Sequence, residues 1–243
     1  MNIAIIFAAG IGQRLNNKED DLPKQFLEIE GKPILIYTLE HFEKHDNIDK
    51  IYIATLDKYI NYVYNLVQKF NIKKACSIVQ GGACAMESIK NALDVASKEN
   101  PSDSIVLIHD GVRPIINSRV IDDNIKSVIE NGNAITAIPC CETIVESKNG
   151  KIAHHVPIRK ETFKAQAPQS FRLQDVLNAH NEIENYDDIV DNCTLYTKLK
   201  KEVYLVEGNF GNIKITTPED VYILKGILEY VKVKENKLVW SWK

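Results

Sequence analysis

The chain has 243 residues, 44% of them hydrophobic, which is enough to build one sizeable core without division into domains. A net charge of −3 gives no general pull towards nucleic acid or a membrane surface, and no apolar run reaches the length that spans a bilayer. Five cysteines without a C-x-x-C pair do not form a disulfide framework, and six scattered histidines do not make a zinc site.

Residues 3–7 open the chain as an apolar, β-branched run with the character of a strand buried on both faces. The strand starts at once, leaves no room for a signal peptide, and sets the expectation of a cytoplasmic protein. It runs into Ala8, Ala9, Gly10 and Gly12, small residues whose backbone can approach a ligand and turn N–H groups towards anionic oxygens. Arg14 and Lys24 add two cations within ten residues of each other, so this stretch fits a phosphate-rich ligand such as a nucleoside triphosphate. Neither G-x-x-x-x-G-K-[ST] nor G-x-G-x-x-G is present. Only five of the 30 basic residues are arginine (Arg14, Arg113, Arg119, Arg159 and Arg172), which favours each for a place where a planar bidentate donor to phosphate or carboxylate is wanted, a structural ion pair included.

Further on, strand-like runs at 51–55, 75–79, 104–108, 134–138 and 203–206 alternate with helical patterns at 33–44, 58–70, 86–98 and 118–131. That order predicts an α/β, Rossmann-like fold, a mostly parallel twisted sheet flanked by helices with ligands at the carboxyl ends of its strands. Between a strand and a helix, Gly81 and Gly82 allow close approach, and Ser88 offers a hydroxyl or a cap for the first helical turn. His109-Asp110-Gly111-Val112-Arg113-Pro114 puts an acid at the end of a central strand and an arginine three residues later, both at the mouth of the sheet. A carboxylate there can sit near a magnesium shell or near substrate hydroxyls. Residues 139–165 break the alternation with charged sequence and two short strand-like pieces at 143–146 and 151–155, the pattern of a projecting hairpin arm. Lys214 lies in a strand-like Asn-Ile-Lys-Ile-Thr run, where an inward lysine needs an anion. Thr217-Pro218-Glu219-Asp220 starts a helix over 218–230, and a tail with Trp240 and Trp242 follows it.

The words Ala8-Ala9-Gly10-x-Gly12-x-Arg14, Pro23-Lys24-Gln25-Phe26-Leu27 and Gly31-Lys32-Pro33-Ile34-Leu35 resemble the N-terminal signature of the sugar-phosphate nucleotidyltransferases. Pro-Lys-Gln is most similar to the cytidylyltransferases acting on 2-C-methyl-D-erythritol 4-phosphate or ribitol 5-phosphate. The resemblance runs over about 2–230 in six words. It implies that Arg14, Lys24 and Lys214 act on the phosphates, and that Ala8, Ala9, Gly10, Gly12, Gly81, Gly82, Ser88 and Asp110 hold CTP. It implies Asp110, Arg113 and Asp191 at the acceptor, with Mg2+ carried mainly on the CTP phosphates near Asp110. Similar proteins are homodimers in which this arm reaches the partner, so Thr143 and Arg159 are expected in the partner's acceptor pocket, within a single 1–243 domain whose arm spans about 139–165. Three words depart from the family: Ala85 replaces an arginine, and Ala167 and Val190 replace hydroxyl residues. These losses favour ribitol 5-phosphate, for capsule or teichoic-acid type polymers, over the methylerythritol phosphate of isoprenoid synthesis. The expected reaction is CTP plus a polyol phosphate giving a CDP-polyol and pyrophosphate. A non-catalytic nucleotide-binding regulatory module is the alternative from another class, and retention of both Lys24 and Lys214 argues against it.

Overall fold

The structure is a computed structural model that describes residues 1–10 and 22–236, with 232–236 as backbone. In chain order it contains β1 (Asn2–Ala8), a small hairpin of β2 (Glu28–Ile29) and β3 (Lys32–Pro33), α1 (Ile34–Glu43), β4 (Lys50–Thr55), α2 (Ile60–Lys69) and β5 (Ala75–Gln80). There follow α3 (Ala85–Glu99), β6 (Ile105–Asp110), α4 (Ser118–Asn131), β7 (Asn133–Pro139), β8 (Phe163–Arg172), α5 (Leu173–Asn181), α6 (Asn192–Lys198), β9 (Leu205–Glu207) and α7 (Pro218–Asn236). Seven strands form one sheet in the order β5-β4-β1-β6-β8-β7-β9. β1 runs parallel to β4 and β6, β4 to β5 and β7 to β9, whereas β8 is antiparallel to both its neighbours.

The apolar run of β1 behaves as its composition dictates. Ile3 and Ile5 pack towards α3 and α5, Ala4 and Ile6 towards α1 and α4, and all four are fully buried. From β1 the chain winds outwards through β4 to β5, then crosses to the other side of β1 for β6. Phe7 and Asp110 therefore stand side by side at the carboxyl ends of β1 and β6, at the point where the winding reverses and a crevice opens.

The helices follow the sequence pattern closely. α4 has the expected bounds: Asn117 Oδ1 accepts from the Val120 N–H at 3.0 Å at its start, and Gly132, at φ 87°, supplies the left-handed residue at its end. Three expectations are corrected. β8, α5 and α6 do not stand out in the sequence; β8 carries Gln166, Gln169 and Ser170, polar residues tolerated in a central strand because each side chain finds a partner inside, and the Pro168 carbonyl accepts from the Thr136 hydroxyl. The arm, here 140–162, holds one isolated antiparallel bridge between Glu146 and His155 in place of two strands, since its exposed residues have no core face to bury. The run around Lys214 is loop rather than strand. The Trp240 and Trp242 tail lies outside the described residues.

Candidate active site

The crevice at the ends of β1 and β6 is a cleft of about 570 Å³ lined by Ala8, Ala9, Gly10, Lys24, Gly82, Ser88, Asp110 and Lys214, among others. Its first wall depends on Pro23-Lys24-Gln25-Phe26. The Phe26 N–H donates to the Pro23 carbonyl at 2.8 Å, winding a single 3-10 turn. Phe26 is buried against the rings of Tyr59 and Tyr62 and anchors that turn. Gln25, 1% exposed, turns its Nε2 inward to the carbonyls of Ala8 (2.7 Å) and Gly10 (3.2 Å). The strand end is thereby fixed to the element that presents Lys24 to the cleft. Gln25 is thus a positioning residue of the cleft, a role that its place in the Pro-Lys-Gln word does not by itself disclose. Gly12 and Arg14 lie outside the described residues.

The second wall is the loop from β5 into α3. A Cβ on Gly81 would lie 2.4 Å from that of Ala9, so glycine there lets two backbone segments touch behind the cleft, and Gly81 itself does not line it. The Ser88 hydroxyl accepts from the Gly82 N–H at 3.0 Å and donates to the Cys84 carbonyl at 2.8 Å. Glu87 accepts from the Ala83 N–H at 2.7 Å, and the helix cap is Cys84 Sγ, not Ser88. With both N–H groups occupied, this loop offers a rigid, nearly uncharged backbone surface, suited to a flat base more than to a phosphate.

Asp110 is the centre of the charge pattern. It is 6% exposed; one carboxylate oxygen accepts from Arg113 Nε at 2.8 Å and the other from Lys214 Nζ at 2.6 Å. Burial pushes this carboxyl up, yet the charges and hydrogen bonds of Lys214 and Arg113 override it and hold it at about 2. Arg113 Nη1 also donates to the Asn212 carbonyl at 2.8 Å, so much of its guanidinium is used in holding the site together. The loop after β6 is gripped by α1: Thr38 Oγ1 donates to the Gly111 carbonyl (3.1 Å) and His41 Nε2 to that of Pro114 (3.0 Å). His109 is fully buried and donates from Nε2 to the Arg113 carbonyl; burial drags its imidazole down to about 4, so it is a neutral structural group at pH 7.

A second chamber of about 210 Å³ adjoins the first and shares Phe7, Ala85, Asp110 and Lys214 with it. It is built by an irregularity in β8: pairing with β7 passes from Ala137↔Ala165 to Ile135↔Gln169, so β8 has two more residues than its partner there. Gln166, Ala167 and Gln169 face the chamber, together with Arg113, Val190 and Asp191. Asp191 caps α6 by accepting from the Thr194 N–H (2.8 Å), and its other oxygen accepts from Gln169 Nε2 (2.8 Å). Ala85, Ala167 and Val190, the three departures from the family words, line this one chamber. Thr143 and Arg159 are exposed on the arm and line neither chamber of their own chain.

Two cationic side chains, Lys24 and Lys214, thus face a cleft with a neutral floor at one end and an amphipathic chamber at the other. Such a site can hold a nucleotide with its phosphates between the lysines and bring a second small anion against them. Among the described residues no group of three His, Cys, Asp or Glu side chains could hold a metal ion. A cation here would rest mainly on ligand oxygens, with Asp110 as its one carboxylate, and Asp110 could take part only where Lys214 gives up the oxygen it now holds.

The profile of the family described as "IspD: 2-C-methyl-D-erythritol 4-phosphate cytidylyltransferase" matches residues 2–230. The chain is 44% identical over 243 residues to the "Ribitol-5-phosphate cytidylyltransferase" of Vibrio parahaemolyticus, covering 99% of this chain and 100% of that one. It is 37% identical over 229 residues to the "2-C-methyl-D-erythritol 4-phosphate cytidylyltransferase" of Clostridium botulinum (strain Langeland), covering 94% of this chain and 97% of that one. Among solved structures it resembles the Francisella tularensis "2-C-methyl-D-erythritol 4-phosphate cytidylyltransferase (IspD)", with a TM-score of 0.75, 28% identity and 96% and 98% of the two chains covered.

Proposed function

The chain belongs to the IspD family of cytidylyltransferases, and from that we propose that it transfers the cytidylyl group of CTP to D-ribitol 5-phosphate, giving CDP-ribitol and pyrophosphate. The observation that carries this reading is the pair of confluent chambers that share Asp110 and Lys214 at their boundary. Cytosine lies against the Gly82 loop, the triphosphate between Lys24 and Lys214, and the polyol in the smaller chamber.

A phosphomonoester dianion is itself the nucleophile, so the protein needs no strong general base. The acceptor's phosphate oxygen attacks the α-phosphorus of CTP, the new P–O bond forms as the bond to the bridging oxygen breaks, and the pair of electrons leaves with pyrophosphate. What the site supplies is approach of two anions and stabilisation of charge on the α-phosphate and leaving group. Lys214, 42% exposed and held by Asp110, has the reach to exchange its carboxylate for an incoming phosphate oxygen. Magnesium on the triphosphate, held by its oxygens and Asp110, would neutralise part of the leaving group's charge.

Arg159 and Thr143 complete the acceptor pocket of a second subunit. What supports this homodimer through the arm is that both residues lie outside their own chain's chambers and that the arm's Val145, Ile152, Val156 and Ile158 are all more than half exposed in the single chain. No helix among the described residues is long and apolar enough to cross a membrane, and the reaction is assigned to the cytoplasm. Preference for ribitol 5-phosphate rests on the full-length likeness to ribitol-5-phosphate enzymes and on Ala85, Ala167 and Val190 in the acceptor chamber. The test is pyrophosphate release with CTP, UTP, ATP and GTP across a panel of polyol phosphates. Turnover with CTP well above the purine nucleotides is expected, and equal rates with a purine triphosphate would reject the cytidylyl assignment.

A further inference from the structure

The loop that carries Lys214 has no ladder to hold it. β9 ends at Glu207, seven residues before the lysine, and residues 212–216 join no strand; on the far side of Lys214 the fully buried Ile215 donates its N–H to the Val112 carbonyl at 2.9 Å, which leaves the 208–213 side to be held. A side chain from β8 takes over that work. Gln166, 7% exposed in the wall of the acceptor chamber, donates from Nε2 to the Asn209 carbonyl at 3.0 Å and accepts at Oε1 from the Asn209 N–H at 3.3 Å. Its primary amide meets residue 209 as the peptide group of a neighbouring strand would. The same Nε2 lies 3.4 Å from the Asn212 carbonyl, which also receives Arg113 Nη1, and Asn212 Nδ2 returns a bond to the Ala167 carbonyl at 2.7 Å. A closed circuit therefore runs from Gln166 through Asn209 and Asn212 to Arg113, Asp110 and Lys214. Gly208 records how tight the clasp is: a Cβ there would fall 2.4 Å from Gln166 Oε1.

We propose that Gln166 is a positioning residue for the transfer reaction, acting through the 208–214 loop to hold Lys214 at the boundary of the two chambers. The inference rests on the functional reading above, in which Lys214 meets the phosphates. Glutamine is the side chain that does this. Glutamate would set a carboxylate against two carbonyl oxygens, asparagine is one methylene too short to reach both sides of residue 209, and methionine keeps the volume but loses every bond.

Two arms test it on the full-length protein. Amide exchange read by mass spectrometry needs no turnover: Gln166→Met should speed exchange in peptides covering 209–215 about tenfold while peptides from β1 and β6 stay unchanged. Unchanged exchange at 209–215 would overturn the proposal. In the kinetic arm, Gln166→Met should lower kcat about tenfold or more with the KM for CTP nearly constant, and Gly208→Ala should do the same by pushing the amide aside. Placed on a Lys214→Ala background, Gln166→Met should then cost almost nothing further, because its effect is spent through that lysine. An equal loss on both backgrounds, or a loss confined to Tm with kcat intact, would reject the positioning role. Wild-type turnover on the polyol panel reports separately on the functional reading.

Discussion

Replacing Asp110 with asparagine removes one negative charge from between Lys214 and Arg113 while keeping the shape of the side chain. In the native protein the two cations hold this carboxyl at about 2, against an ordinary 3.8, a preference for the charged form worth about 2 kcal/mol at neutral pH. Removing one partner of a buried pair commonly costs about 3–5 kcal/mol. Lys214 is 42% exposed and turns to water when released, whereas Arg113, with 12% of its side chain exposed, cannot, so the lower figure applies. We therefore expect Asp110→Asn to lose about 2–3 kcal/mol, which for a chain of this size lowers Tm by about 5–10 °C. The sign follows from a depressed carboxylate: the stabilisation is fully present above pH 3.8 and is lost only as pH falls towards 2. The gap in Tm between native and variant protein, read by calorimetry, should accordingly be constant from pH 5 to pH 8. A gap under 1 °C, or one that widens steadily across that range, would refute the reasoning.

Other consequences are open to the same level of test. Lys24→Ala should lower kcat by about a hundredfold, the scale of one preorganised transition-state donor, with a smaller change in CTP affinity; a raised KM at constant kcat would reduce Lys24 to a ground-state contact. Ser88→Ala frees the Gly82 N–H and should raise the KM for CTP several-fold without changing the acceptor's, as initial-rate kinetics will reveal. His109 and His180 are held near 4 by burial, so both contribute stability that is complete above pH 6.5 and is lost as pH falls through the interval down to 4. Urea unfolding should show a loss of about 2 kcal/mol per histidine between pH 7.5 and pH 5, and a flat profile would contradict their neutral burial. Mixing Arg159→Ala with Lys24→Ala subunits should restore activity, since one site of the mixed dimer carries neither lesion; failure despite proven subunit exchange would place Arg159 in its own subunit's site.

Much of this architecture is written locally. β1, β4 and β6 declare themselves because strands buried on both faces are continuous apolar runs, and α4 because its cap, apolar period and terminal glycine all lie within 117–132. Lys24 and Asp110 are legible for a related reason, as charged residues set beside small residues or a strand end, whereas Lys214 reaches the cleft from a loop and not from the strand its run suggests. β8 was not, because its burial is satisfied by polar side chains whose partners come from α4, α6 and the loop after β9. Gln25 and Gln166 escaped in the same way: a glutamine amide has no sequence pattern that says which distant carbonyls it will meet. The arm turns back on itself as its sequence suggests, but its two strand-like pieces meet in a single antiparallel bridge, because exposed residues with no face to cover do not extend a ladder. Arg113 is expected at the acceptor, and the folded structure adds that its guanidinium also bonds Asp110 and the Asn212 carbonyl, a contact 99 residues away that no local pattern announces.

The most direct test of the central claim is a competition in one vessel. With CTP and equal concentrations of D-ribitol 5-phosphate and 2-C-methyl-D-erythritol 4-phosphate, mass spectrometry at early conversion reads the ratio of the two CDP-polyols, which is the ratio of kcat/KM. CDP-ribitol is expected in excess by about a hundredfold or more. A majority of the methylerythritol product would contradict that expectation and make the smaller chamber a site for the branched acceptor.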